Sequence, residues 1–437
     1  MKFSTEQVRA GGWIAAIYKA IRYYDVDDPA FDHFEAAIIS GKTAEFLSSI
    51  RALGKVDQQQ YEVYRKLARL KPKQAAEALQ ELEKDGLVEI AWDKSGDLAV
   101  VDSITCKATS RAEVLGASAR LFESSSPTAR SRAAVEALDA TVHFPVPQSR
   151  VIQQLTAKGF SVPTSEQAIN ELVSLELLAR TTETEAGQPL LYNPHVFREN
   201  AQDAYKVLSG LQSKDRDDAL EVLEHVRKNP GVPFPHGTNR KVVALLTKAG
   251  IIDISGVQLK SGATQREFPT APDIWGVFAD GEDGGLSKDL IDDSKLLLNS
   301  LRYGQLYSAS GRGRISSPAV LVNALIDRGQ VGPATAIGED YPLPLARGIV
   351  NITESRLQPG RFFMELRKTD VAESVRDVLE QNVILPAGVM PTPEVLQKGG
   401  GVFQPPDHTR MKRQLPSELL DARDSLAFEL RTYRKRT

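Results

Sequence analysis

Hydrophobic positions recur in one phrase written four times: an amphipathic helix ends at glycine or a polar residue, enters a short apolar strand, then reaches a turn and a returning strand. In the first copy the helix from Gln74 carries Leu79 and Leu82 and stops at Asp85-Gly86; Leu87 to Ile90 is the strand, Asp93 to Asp97 the turn and Leu98 to Val101 the return. The second copy has Ile152 and Leu155 before a break at Gly159, a helix over Ser165 to Glu176, a strand from Leu177 to Arg180, a tip at Glu185 to Gly187 and a return over Leu190 to Tyr192. Its helix closes on Glu176 where the other copies have glycine, which weakens the signal. The third places helices over Ala219 to Arg227 and Thr238 to Ala249, Gly250 as the closing glycine, a strand over Ile251 to Ile254 and a tip near Gly262. The fourth has a helix over Pro318 to Asp327, a compact segment from Pro333 to Arg347 whose Pro342 and Pro344 keep a second helix short, a strand over Gly348 to Ile352, a tip at Pro359-Gly360 and a return over Phe362 to Leu366.

The segments between the copies read as helical. Trp13, Ile14, Ile17, Tyr18 and Ile21 form one stripe, and Phe31, Phe34, Ile38, Phe46, Leu47 and Ile50 a second; both are expected in the core or in an oligomer interface. Asp25, Asp27, Asp28 and Asp32 read as a solvated loop and helix start. Ser124 to Pro127 marks a boundary or hinge, and Asp280 to Gly285 a flexible stretch without the ligand spacing of a calcium loop. Beyond Leu385, prolines and the Gly399 to Gly401 run predict an extended arm before a last helix over Glu418 to Arg431. The expected organisation is a helical segment (1–55), units at 56–110, 146–196, 197–275 and 276–385, a helical connector (111–145), and the arm with its basic terminal helix (386–437).

The 437 residues carry Lys+Arg 54 against Asp+Glu 57, so attraction to an anionic polymer must come from local patches and not from net charge. Cys106 is the one cysteine, which excludes an intrachain disulfide and fits a reducing, cytoplasmic setting. No run approaches the length of a membrane span. The histidines lack metal-binding spacing, no phosphate-binding or dinucleotide-binding glycine loop is present, and no G-x-S-x-G occurs. No cofactor, metal or catalytic residue is therefore expected, and the chain reads as a non-enzyme.

A helix, a turn, a second helix and a two-stranded wing make up the winged-helix pattern, and at the superfamily level the chain resembles tandem winged-helix proteins. The resemblance implies a mainly α fold with small β-hairpin wings (α+β), its units joined by helical connectors. It also implies that the second helix of a DNA-binding unit enters the major groove while the wing touches backbone or minor groove. Each copy then qualifies on its own charges, because phosphate neutralisation supplies most of the affinity. The third qualifies best: Val242, Val243, Leu245, Leu246 and Ala249 share one arc, and Arg240, Lys241, Ala244, Thr247 and Lys248 the other. Thr238 is expected to cap this helix, Asn239 to cap it or reach a base edge, and Lys260 and Arg266 to flank the wing. The first copy alternates Lys73, Glu77, Gln80 and Lys84, while the second offers Ser165, Glu166, Gln167, Asn170, Glu171 and Ser174 without a cation. In the fourth, Arg312 and Arg314 of the Gly311 to Arg314 loop and the wing residues Arg356 and Arg361 are basic, as are Arg434, Lys435 and Arg436 in the tail; all are DNA-binding candidates, and the loop and the tail are expected to act as sequence-independent clamps. The reading is a double-stranded DNA-binding regulator or nucleoprotein assembly factor that holds a protein partner or a second copy through its N-terminal helices or second unit. The alternative is a protein–protein scaffold subunit of a larger prokaryotic machine.

Overall fold

Ser4 accepts from the Gln7 amide while the Gln7 side chain accepts from the Ser4 amide, and this capping box starts α1 (Thr5–Ile21). The computed structural model describes residues 3–22, 24, 28–51, 53–92, 101–181, 188–197, 201–257, 265–276, 288–308, 311 and 313–385. It is mainly helical, with antiparallel sheets of two or three strands. After a 3₁₀ turn (Pro29–Phe34) comes α2 (Glu35–Arg51), and then the first repeated unit: β1 (Lys55–Asp57), α3 (Gln58–Leu67), α4 (Pro72–Lys84), β2 (Val88–Trp92) and β3 (Val101–Cys106). Next follow α5 (Arg111–Ser124) and α6 (Ala129–Ala140), then the second unit of β4 (Val146–Pro147), α7 (Gln148–Ala157), α8 (Val162–Ser174), β5 (Ala179–Arg180) and β6 (Leu190–Tyr192). Gln58 to Gly86 aligns with Gln148 to Glu176 without insertion or deletion. Buried Ala78, Leu79 and Leu82 fall on buried Ala168, Ile169 and Leu172.

In both units the last strand lies between the other two and pairs with each antiparallel. The short strand ahead of each helix pair was not predicted; two or three residues carry no readable alternation.

Trp13, Ile14, Ile17, Tyr18 and Ile21 are buried in the chain's own core. Filling each such position contributes about 1.5–3 kcal/mol. These side chains are consequently not available as the oligomer interface that was the alternative for them. Helix α5 crosses α1 so closely that a Cβ on Gly11 would lie 2.0 Å from the Leu115 carbonyl oxygen. The Ser124 to Pro127 break, expected as a boundary or hinge, is a turn joining two helices of one core.

A second core begins at Phe197. The segment that builds it runs through α9 (Pro194–Phe197), α10 (Ala201–Gly210), α11 (Ser213–Lys228), α12 (Arg240–Lys248), β7 (Asp253–Val257), β8 (Arg266–Thr270), α13 (Asp273–Gly276) and α14 (Lys288–Leu306), of which all but β8 contribute side chains to it. The fourth unit adds α15 (Pro318–Arg328), β9 (Gln330–Ala334), α16 (Thr335–Asp340), α17 (Pro342–Ala346), β10 (Val350–Glu354) and β11 (Phe362–Leu366), and α18 (Thr369–Gln381) closes the described chain. Its sheet again puts the last strand in the middle, β10-β11-β9. The helix pair before the hairpin is α16 and α17; the Pro318–Asp327 helix lies ahead of the first strand and is not one of the pair.

The two cores meet around a buried ionic cluster. Arg111 reaches Asp377 and Glu373, each at 3.1 Å, and Arg51 reaches Glu373 at 2.9 Å. Just beyond, Ile384 belongs to the second core and Leu385 to the first.

Candidate nucleic-acid interface

Helix α12 starts where it does because Asn239 caps it. The Asn239 Oδ1 accepts from the Lys241 and Val242 amides at 3.1 and 3.4 Å, and Nδ2 donates to Asp218 Oδ2 of α11 at 2.7 Å. Thr238, expected as the cap, instead donates its hydroxyl to the Pro235 carbonyl at 2.9 Å. With its Oδ1 on two backbone amides and one of its two Nδ2 N–H groups on Asp218, Asn239 is a positioning residue for α12, and one N–H remains unengaged.

Val242, Val243, Leu246 and Ala249 face inward, while Arg240, Lys241, Ala244, Leu245 and Lys248 are exposed. Leu245 thus departs from the inward arc assigned to it and stands 39% exposed between Lys241 and Lys248. Thr247 is half-buried and spends its hydroxyl on the Val243 carbonyl at 2.8 Å, so it is not a member of the outer face. No acidic residue lies on the helix, and the Arg240 contact with Glu267 of β8 is 3.8 Å long between exposed groups. A pair of that kind is worth little and leaves the cation available.

The equivalent helices differ. On α4, Lys73 pairs with Glu77 at 3.9 Å and Lys84 with Glu81 at 2.6 Å, so the face is self-neutralised. On α8, Glu166, Gln167 and Asn170 are exposed, but Ser165 and Glu171 are buried, contrary to the outer-face assignment. Glu171 Oε2 lies 2.9 Å from His33 Nε2, and its Oε1 accepts from Arg130 at 3.2 Å. On α17 there is no cation, and Arg347 just beyond it is held 3.0 Å from Asp293.

The remaining cations are not gathered at α12. Arg266 lies over the Tyr307 ring at 4.6 Å, on the β8 face opposite Glu267. Tyr307, with Tyr303 5.5 Å away, packs edge-on against Phe268 at 6.4 Å. Arg314, exposed, donates through Nε and Nη2 to the Gln305 and Leu306 carbonyls at 2.5 and 3.1 Å and so caps the C-terminus of α14. Arg356 and Arg361 are exposed on the β10–β11 turn around a 93% exposed Leu357, and Arg361 also donates to Gln358 at 3.2 Å. Lys260, Arg312, Arg434, Lys435 and Arg436 lie outside the described residues, as do the third tip and the arm.

Among the described residues no group of His, Cys, Asp and Glu is placed to hold a metal ion, and no helix is long and apolar enough to cross a membrane. No family model matches the chain, and no curated protein or solved structure matches it.

Proposed function

We propose that this chain is a non-enzymatic DNA-binding protein of tandem winged-helix units, in which the third unit lays α12 in the major groove of double-stranded DNA. The observation that carries the reading is the exposed, acid-free face of α12: Arg240, Lys241 and Lys248 surround Ala244 and Leu245 on a helix that precedes the β7–β8 hairpin. Cations there neutralise phosphates, and the small apolar centre suits the methyl groups of thymine. The strand order of the three-stranded sheets supports the winged-helix class, because the returning strand in the middle presents each hairpin as a wing. A transcriptional regulator and a nucleoprotein assembly factor both fit a chain in which one unit binds DNA and the others serve the architecture.

The test is an anisotropy titration against duplex DNA, single-stranded DNA and RNA at two salt concentrations. Duplex should bind best, with a log affinity against log salt slope of about −3 for three phosphate contacts. Absence of duplex binding at low salt would favour the second reading, a protein-binding scaffold subunit. That reading draws on α8, whose outer face carries exposed Val162 and no cation.

A further inference from the structure

The β10–β11 turn of the fourth unit holds a leucine out in water. Leu357 is 93% exposed, whereas Val320, the next large apolar side chain among the described residues, is 68% exposed. Hairpin tips ordinarily carry glycine, asparagine, aspartate or serine, and a leucine there gains nothing from folding. This tip is also tied down. The Ser355 amide donates to the Arg361 carbonyl at 2.7 Å and closes the loop. Inside it the Arg361 amide donates to the Gln358 carbonyl at 3.1 Å, the Gln358 amide to Ser355 Oγ at 3.2 Å and the Gly360 amide to Glu354 Oε1 at 2.7 Å. Pro359 fixes one φ, and Gly360 takes the left-handed φ of 77° that the turn requires. A turn ordered in advance loses little entropy when it meets a partner.

Two arginines flank the leucine. Arg356 has no hydrogen bond or ion pair among the described residues, and Arg361 gives one N–H to the neutral Gln358 side chain. Elsewhere in the unit Arg347 and Lys368 are held by Asp293, Arg367 by Glu365, and α17 has no cation. Glu354, the acid nearest the tip in sequence, is engaged by the Gly360 amide. The charge this unit offers a polyanion therefore lies on its wing and not on its second helix.

A narrow apolar point between two guanidinium groups matches a minor groove that is being opened. The arginines meet its negative potential, strongest where A·T runs narrow it, and the leucine enters between two base pairs. An anionic bilayer also attracts basic, apolar tips, but attachment there sums over many cations and a long apolar face or acyl chain. This tip has two cations and one leucine.

We propose that the fourth wing enters the minor groove of double-stranded DNA and inserts Leu357 as a wedge at a flexible base step, kinking the duplex, with Arg356 and Arg361 in the groove on either side. The inference rests on the DNA-binding reading above and adds a second contact, one that deforms DNA where α12 reads the major groove.

The experiment uses the full chain and duplexes of about 30 base pairs, either A·T-rich with a central TA step or G·C-rich, each with 2-aminopurine beside the central step. Anisotropy reports binding, and 2-aminopurine emission reports unstacking. At saturation the emission of the A·T-rich duplex should rise severalfold. Leu357→Ala, at an exposed position, should keep the thermal midpoint and lose the rise. Its affinity should stay within about tenfold, because the lost apolar contact is offset by the unstacking it avoids. Leu357→Met should keep the rise, since methionine also serves as a wedge. Arg356→Gln with Arg361→Gln should narrow the affinity ratio between the two duplexes. A bound duplex without a rise, or an undiminished rise with Leu357→Ala, would overturn the wedge and leave the DNA-binding reading standing. No duplex binding at low salt would remove both, and Leu357-dependent sedimentation with phosphatidylserine vesicles would then assign the tip to a lipid surface.

Discussion

Asn239 and Asp218 fix the two helices of the third unit to each other: the Asn239 Nδ2 donates to Asp218 at 2.7 Å while its Oδ1 caps α12. One side chain thus sets both where the basic helix begins and how it sits on α11. Asn239→Ala removes the cap and leaves Asp218 without this donor. It should cost about 1–2 kcal/mol in urea unfolding. Asn239→Asp should keep the cap but set two carboxylates together, so it should restore less than the full loss.

Backbone conformation makes a second prediction. The residue after the second helix is left-handed in all four units, with φ of 66° at Gly86, 60° at Glu176, 68° at Gly250 and 62° at Gly348. A side chain is strained there, and Glu176 is the one position that carries it. Glu176→Gly should raise the urea midpoint, by about 1 kcal/mol in stability, whereas Gly348→Ala should lower it by a similar amount. Nothing lies within 4 Å of a Cβ at Gly348, so that cost isolates φ from crowding.

Asp377 ties pH to the contact between the cores. Burial pushes its carboxyl up to about 6 from an ordinary 3.8, with Arg111 and Arg376 opposing and Glu373 adding to the rise. The native state therefore holds a proton that the unfolded chain has lost. This group's contribution is fully present below about pH 4 and disappears as pH rises through about 6. Glu373 works in the opposite direction: burial raises it, but Arg111 and Arg51 prevail and hold it low, so its contribution fades on acidification. Stability measured against pH for Asp377→Asn, compared with the unaltered chain, should differ in slope mainly between pH 4 and 6. Parallel curves would show that Asp377 does not titrate there.

Periodicity made the helices and returning strands legible, because the inward faces of α4, α8 and α12 bury alanine, valine, leucine and isoleucine at helical spacing. What it missed was set by tertiary contact. β1 and β4 are too short to alternate and exist because β3 and β6 offer open edges. Leu245 looks inward on a helical wheel, but the inward arc is narrower than an ideal wheel suggests, and the position faces solvent. The cationic face was readable from Arg240, Lys241 and Lys248. By contrast, the engagement of Arg314 with the end of α14 depends on a chain reversal that no local pattern encodes. The cap itself had a signal: Asn immediately before an amphipathic run is a helix-start residue, and Asn239 stands at that place.

The most direct measurement compares duplex affinity for two charge-altered proteins. One carries Arg240→Glu, Lys241→Glu and Lys248→Glu on α12, and the other Lys73→Glu and Lys84→Glu on α4. All five positions are exposed, so both proteins should unfold close to the midpoint of the unaltered chain. The account predicts that the α12 protein loses duplex affinity by on the order of a hundredfold or more at low salt while the α4 protein binds nearly as before. Equal affinity of the α12 protein and the unaltered chain would contradict it.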